Sequence, residues 1–166
     1  MITLRFISNM KITLLVVGKT DEEYLNKGIG IYTNRLSHYI RFNLIEIQPP
    51  RNFRQLNPQQ LKEAEGKLLL KYFEESDHIV LLDEKGTHPT STDFAAMLQK
   101  HMNSGLKNLM FVVGGAFGFS DDVYKAANSK LALSPMTFSH QMVRLFFCEQ
   151  LYRAFTIIRN EPYHNN

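Results

Sequence analysis

The chain of 166 residues contains no tryptophan and one cysteine, Cys148. A single thiol cannot close an internal disulfide, so the core must hold the fold, and this usage suits a reducing cytoplasm. No run approaches the ~18 apolar residues of a membrane-spanning helix, so no membrane partner is expected. The six histidines are scattered, with no H-x-x-x-H spacing and no cysteine beside them, so no metal site is expected. Charge of one sign is also scarce. Lys+Arg 19 against Asp+Glu 16 leaves +3, a mild basic bias compatible with RNA or DNA but far from a polybasic binder. Internal repeats and low-complexity segments are absent, and the length suits one compact domain with a real core.

What is present begins with MITLRFISN, residues 1–9. Its apolar run is too short for a signal peptide and has no small-residue cleavage site. It precedes a second Met, Met10, where a clean strand starts. Residues 1–9 are therefore expected to be an upstream extension, and 10–166 a single domain.

Apolar, β-branched runs over 11–18, 78–83 and 108–113 read as buried strands, and 42–47 alternates as a half-buried one. A last strand is expected over 130–133. Acids at Asp21, Glu22 and Glu23 open a helix. Residues 49–58, with Arg51 and Arg54, read as a basic loop. Asn57-Pro58 caps a helix over 58–75. Ser91-Thr92-Asp93 and Ser120-Asp121-Asp122 cap two more, and a long helix closes the chain. Strands alternating with helices, apolar on both faces, predict an α/β fold: a mostly parallel sheet with helices on both faces. In such sheets ligands sit beyond the carboxyl ends of strands, which singles out the loops after Leu82, Val113 and Leu133.

Gly114-Gly115-Ala116-Phe117-Gly118 follows a strand but is not a dinucleotide fingerprint. The G-x-G-x-x-G spacing is missing, and Asp121 and Asp122 crowd the next helix start with negative charge. No Gly-Lys-Ser/Thr follows, which excludes a P-loop. The glycines then supply either a tight turn in any fold or a close approach to a ligand without phosphates.

The loop Ser134-Pro135-Met136-Thr137-Phe138-Ser139-His140 is unusually apolar. Met136 and Phe138 either pack against the glycine loop, wall a pocket, or form a subunit contact. His140 reads as a helix-capping or surface histidine, and no Ser/His/Asp constellation is present. The final helix carries Met142, Leu145, Phe146, Leu151, Tyr152, Phe155 and Ile158, a stripe wider than one sheet face needs, which suits a dimer contact. Glu149 and Arg153 have the i,i+4 spacing of an ordinary surface ion pair. By residue type the tail, Arg159 to Asn166, reads as a frayed end, although Tyr163 and His164 could stack on and hydrogen-bond an RNA base.

The series Val112-Val113-Gly114-Gly115-Ala116-Phe117-Gly118, then Leu131 to Arg144, Glu149 to Ala154 and Asn160-Glu161-Pro162-Tyr163-His164 resembles the SPOUT methyltransferases of the RlmH type. Met10 to Thr13 and Lys62-Glu-Ala-Glu-Gly66 are similar to that family too, so the likeness spans Met10 to about His164. Its departures are Ser139, where the family often has Pro, and Asn165-Asn166 after the terminal Tyr-His. The resemblance implies a SPOUT α/β fold with a C-terminal trefoil knot. It implies S-adenosylmethionine as cofactor, methylation of N3 of a pseudouridine in large-subunit (23S) ribosomal RNA or the assembled ribosome, and a homodimer. By the same likeness Leu82, Gly114, Gly115, Leu133, Ser134, Pro135, Met136, Thr137 and Phe138 contact the cofactor. His164 is the candidate base, Arg144 the candidate anion stabiliser or phosphate contact, and Tyr163 the candidate stacking residue. A non-enzymatic ribosome-binding factor and a SPOUT enzyme of another RNA, such as tRNA, are the alternatives.

Overall fold

The computed structural model describes residues 8–165. Positions 1–7 of the expected extension, and Asn166, lie outside the described residues. Five strands, β1 (Lys11–Val17), β2 (Arg41–Ile47), β3 (His78–Thr87), β4 (Asn108–Val113) and β5 (Ser129–Leu131), form one sheet in the order β2-β1-β4-β3-β5. Every pairing is parallel. The helices are α1 (Glu23–Leu36), α2 (Pro58–Phe73), α3 (Ser91–Asn103), α4 (Asp121–Ala126) and α5 (Met142–Ile158).

Strand β1 shows why the apolar runs read as they did. Flanked by β2 and β4, it buries alternate residues on opposite faces. Leu14 and Val16 enter the core beneath α1, α3 and α5, with Phe94, Phe111, Phe147 and Phe155. Leu15 and Val17 enter a second core beneath α2 and α4, with Leu69, Phe73 and Val123. Each fully buried aliphatic side chain contributes about 1.5–3 kcal/mol by area, so both faces are needed.

The boundaries differ from the sequence reading in instructive places. β5 stops at Leu131 rather than 133 because β3 bulges, pairing both Leu82 and Thr87 with Leu131. Gly86 makes this possible, since a Cβ there would stand 2.5 Å from the Leu131 nitrogen. Thr90, not Ser91, caps α3, accepting from the Asp93 amide in a capping box, and Asn57 caps α2 likewise. The basic loop after β2 winds into a 3-10 turn, Arg51–Gln55. β3, β4 and β5 end side by side, and their loops share one edge of the sheet.

Candidate cofactor cavity and the C-terminal cluster

A cavity of about 620 Å³ opens at the carboxyl ends of β3, β4 and β5, within the usual size of a small-molecule site. Leu82, Gly114, Gly115, Leu133, Ser134, Met136, Thr137 and Phe138 all line it, and of the residues expected to meet a cofactor only Pro135 is off its wall. The loop after β5 is held by short polar links. Ser134 Oγ accepts from the Met136 amide at 2.9 Å, and Thr137 Oγ1 donates to the Glu84 carboxylate at 2.7 Å. The Phe138 ring packs on Phe146 of α5 at 4.7 Å. Met136, although on the cavity wall, is 76% exposed.

The glycine loop is a steric requirement. A Cβ on Gly114 would meet the Gly118 carbonyl oxygen at 3.2 Å and the Phe119 ring at 3.3 Å, and one on Gly115 would meet the Glu65 carboxylate at 2.2 Å. Gly118 has φ +78°, the left-handed region that favours glycine. Its amide donates to the Gly115 carbonyl at 3.1 Å and closes the turn. The wall also carries Asp83, Glu84 and Asp121 against Lys62 and Lys85. The Tyr124 hydroxyl donates to Asp83, and burial together with that bond raises its pKa. Such a wall disfavours a polyphosphate and suits a neutral or cationic ligand.

Arg144 is placed inside the chain rather than at this cavity. It is 0% exposed. Its Nε donates to the His140 carbonyl at 3.1 Å, one terminal nitrogen to the Gly18 carbonyl and Thr20 Oγ1 at 3.0 Å each, and the other to the Val17 carbonyl at 2.8 Å. Four of five N–H groups are thus used internally, and burial lowers the guanidinium pKa against the pull of Glu46, 3.9 Å away. His140 does line the cavity, and burial, aided by Arg144, lowers its pKa and favours the neutral ring.

The tail is not frayed. The Tyr163 hydroxyl donates to Glu149 at 3.1 Å and meets the Tyr32 hydroxyl at 3.4 Å. Its ring sits 4.8 Å from the Arg153 guanidinium and 4.8 Å from the Tyr152 ring. Burial first, then these bonds, raises the Tyr163 pKa. His164 Nδ1 is 3.4 Å from Arg153. Glu149 and Arg153, read from sequence as a surface pair, have side chains only 19% and 24% exposed and form the base on which Tyr163 and His164 rest. Tyr39 adds a hydrogen bond to Glu161. Spacing alone offered no signal for Tyr32, which is 131 residues from Tyr163. Neither Tyr163 nor His164 lines the cavity.

Among the described residues no group of three or more His, Cys, Asp or Glu could hold a metal ion, and no helix is long and apolar enough to cross a membrane.

Comparison with known proteins places this geometry. A solved structure of a probable methyltransferase from Bordetella pertussis superposes with a TM-score of 0.54 at 10% identity, covering 89% of this chain and 95% of that one. A probable methylase family protein from Haemophilus influenzae gives 0.52 at 13% identity, covering 96% and 71%. Both share the fold. Ribosomal RNA large subunit methyltransferase H of Christiangramia forsetii is 54% identical over 156 residues, 94% of this chain and 99% of the relative, and that of Flavobacterium psychrophilum matches equally. The family model described as Predicted SPOUT methyltransferase matches residues 10–164. With a wholly parallel five-stranded sheet, a glycine-floored cavity at its strand ends and a match across nearly its whole length, the chain belongs to the SPOUT methyltransferase family.

Proposed function

We propose that the chain methylates N3 of a pseudouridine in large-subunit ribosomal RNA with S-adenosylmethionine, as a homodimer in which two copies complete one site. The observation that carries this reading is the cavity formed by three strand-end loops, with a floor of glycines and acids on its wall. Its relatives' name supplies the substrate class. The cofactor fits the residues present. Apolar Leu82, Leu133 and Phe138 suit an adenine and a thioether-like chain, Gly114 and Gly115 let backbone come close, and Asp83, Glu84 and Asp121 suit a cation and repel phosphate.

When bound, the cofactor supplies an electrophilic methyl group on a positively charged sulfur. The protein must bring the RNA base to it and take the N3 proton. His164, whose Nδ1 lies 3.4 Å from Arg153, is the base for that proton once the guanidinium turns from it to the negative charge that develops on the base. Tyr163, braced by Glu149, Tyr32 and Arg153, presents its remaining surface for stacking. Arg144 and His140 act as positioning residues for the loop that walls the cavity.

The absence of Tyr163 and His164 from the cavity wall supports a partner copy donating its tail. Exposed apolar side chains supply a contact surface, Tyr24 and Ile31 on α1 and Phe146 on α5. The same reading includes a C-terminal segment threaded into a trefoil knot. Its support is the way α5 begins: Gln141 donates to the Lys19 carbonyl and accepts from the Asp21 amide, while Arg144 binds the end of β1. A ribosomal substrate sets the enzyme in the cytoplasm.

Incubation with labelled S-adenosylmethionine and intact ribosomes, free ribosomal RNA or tRNA tests the proposal. Label should enter large-subunit RNA at a pseudouridine N3, and His164→Ala should lower turnover about 10²-fold or more with cofactor affinity unchanged. Label in tRNA alone, or in no RNA, overturns it.

A further inference from the structure

One carboxyl group serves no part of this scheme. Glu65, on α2, is 8% exposed, and its Oε2 is buried without a hydrogen-bond partner. It sits directly behind the cavity floor: a Cβ on Gly115 would stand 2.2 Å from Oε2 and 2.8 Å from the carboxyl carbon, while Gly115 itself lines the cavity. Its neighbour Gly66 brings α2 close against α4, a Cβ there standing 2.3 Å from Ser120 Oγ. Lys62, three residues before it on α2, and Asp121 on α4 line the adjoining cavity, and among the described residues no ion pair includes Glu65. Burial raises its pKa.

A buried carboxylate with an unmet oxygen is costly, and either a proton or a cation relieves it. Asp83 and Glu84, on the cavity wall, already accept from Tyr124 and Thr137. Glu65 has no such donor. The methyl donor and its demethylated product share an adenosine, an ammonium and a carboxylate, and differ in charge only at sulfur.

We propose that Glu65 is a specificity residue that, ionised beneath Gly115, favours the cationic methyl donor over the neutral-sulfur product in the adjoining cavity. This rests on the S-adenosylmethionine reading of that cavity. Donor binding then displaces a proton from Glu65 by linkage, and product binding does not. An opposite charge several Å away, at an effective dielectric between protein surface and water, changes affinity about tenfold.

Calorimetry on the full chain, with S-adenosylmethionine and S-adenosylhomocysteine in buffers of different ionisation enthalpy, reads both effects. The native chain should bind the donor about tenfold more tightly and, in the pH range over which Glu65 titrates, release a fraction of a proton only with the donor. Glu65→Gln should bring donor affinity down to that of the product, leave product affinity within about twofold, and abolish the proton release; Glu65→Asp should keep part of the preference. Equal weakening of both ligands, or a preference that survives Glu65→Gln, overturns the proposal. If Glu65→Gln does not fold, the donor-to-product ratio of the native chain decides: a fall as pH drops supports it and a constant ratio overturns it. Binding of neither ligand to the native chain would overturn the cofactor reading itself.

Discussion

Replacing Arg144 by Met isolates a structural demand from a catalytic one. Met fills much of the volume of the arginine stem but donates nothing, so the carbonyls of Val17, Gly18 and His140, and the Thr20 hydroxyl, each lose a charged donor. Hydrogen bonds to a charged group contribute about 1.5–3 kcal/mol each, but four at one guanidinium do not add, because relaxation and water recover part. Removing one partner of a fully buried charged network typically costs about 3–5 kcal/mol. About 4 kcal/mol is therefore expected here, and in a domain of this size each kcal/mol lowers Tm by about 2–4 °C.

Thermal melting of Arg144→Met should thus fall by about 8–16 °C, with the urea midpoint falling in step and its slope unchanged. Arg144→Lys keeps the charge but cannot span acceptors on both β1 and the loop before α5, so it should lose roughly half as much. The melting curve decides between the two roles. A variant that melts within about 2 °C of the native chain while losing methyl transfer would show that the guanidinium acts on substrate, and the buried-strut account would fail.

Three other perturbations test separate parts of the fold. His78 and His101 stack at 4.7 Å, and burial lowers both pKa values, with His78 and Lys100 adding to the effect at His101. The unfolded chain therefore takes up these protons first. The pair's contribution is present above the ordinary histidine pKa of about 6.5 and is lost as pH falls through the lower folded values. Tm should drop between about pH 7 and 5, His101→Gln should flatten that slope, and a slope of opposite sign would refute the assignment. Gly86→Ala forces a Cβ against the Leu131 nitrogen at 2.5 Å and the Lys130 carbonyl carbon at 2.6 Å, both backbone. It should cost about 1–3 kcal/mol in urea titrations and weaken cofactor binding, because β5 leads into the cavity wall. Gly30→Ala in α1, with nothing within 4 Å, should instead stabilise by about 0.5–1 kcal/mol.

The sheet was legible because strands buried on both faces must be apolar at consecutive positions, as Leu14, Leu15, Val16 and Val17 are. The cavity loops followed, since parallel strands bring their carboxyl ends to one edge. What sequence could not show depends on long-range partners. An arginine in the first turn of a helix reads as solvated, yet the acceptors of Arg144 at the end of β1 and just past it are 127 and 126 residues upstream. Glu65 occupies an amphipathic helix where a glutamate ordinarily faces water, and its burial comes with the close approach of a loop 50 residues on, at Gly115. The tail read as frayed because Tyr163 and His164 gain their order from Tyr32, Glu149 and Arg153, none of them local. The end of β5 was set by the bulge in β3, a property of the neighbouring strand. Threading of the C-terminal segment was implied by family likeness and by no periodicity.

Helix α5 connects these parts physically. Its first turn, through Arg144, fixes the end of β1 and the His140 carbonyl next to the cavity; its middle packs Phe147, Leu151 and Phe155 into the core; and Glu149 and Arg153 carry the tail. Tyr163 and His164 rest on Glu149 and Arg153, well along the helix, and neither lines the cavity that its first turn approaches. On the dimeric reading proposed above, methyl transfer brings the two together from two chains. Any substitution that loosens the seating of α5 should therefore damage cofactor binding and tail docking together, while a defect confined to the contact between copies should spare cofactor affinity and remove turnover alone.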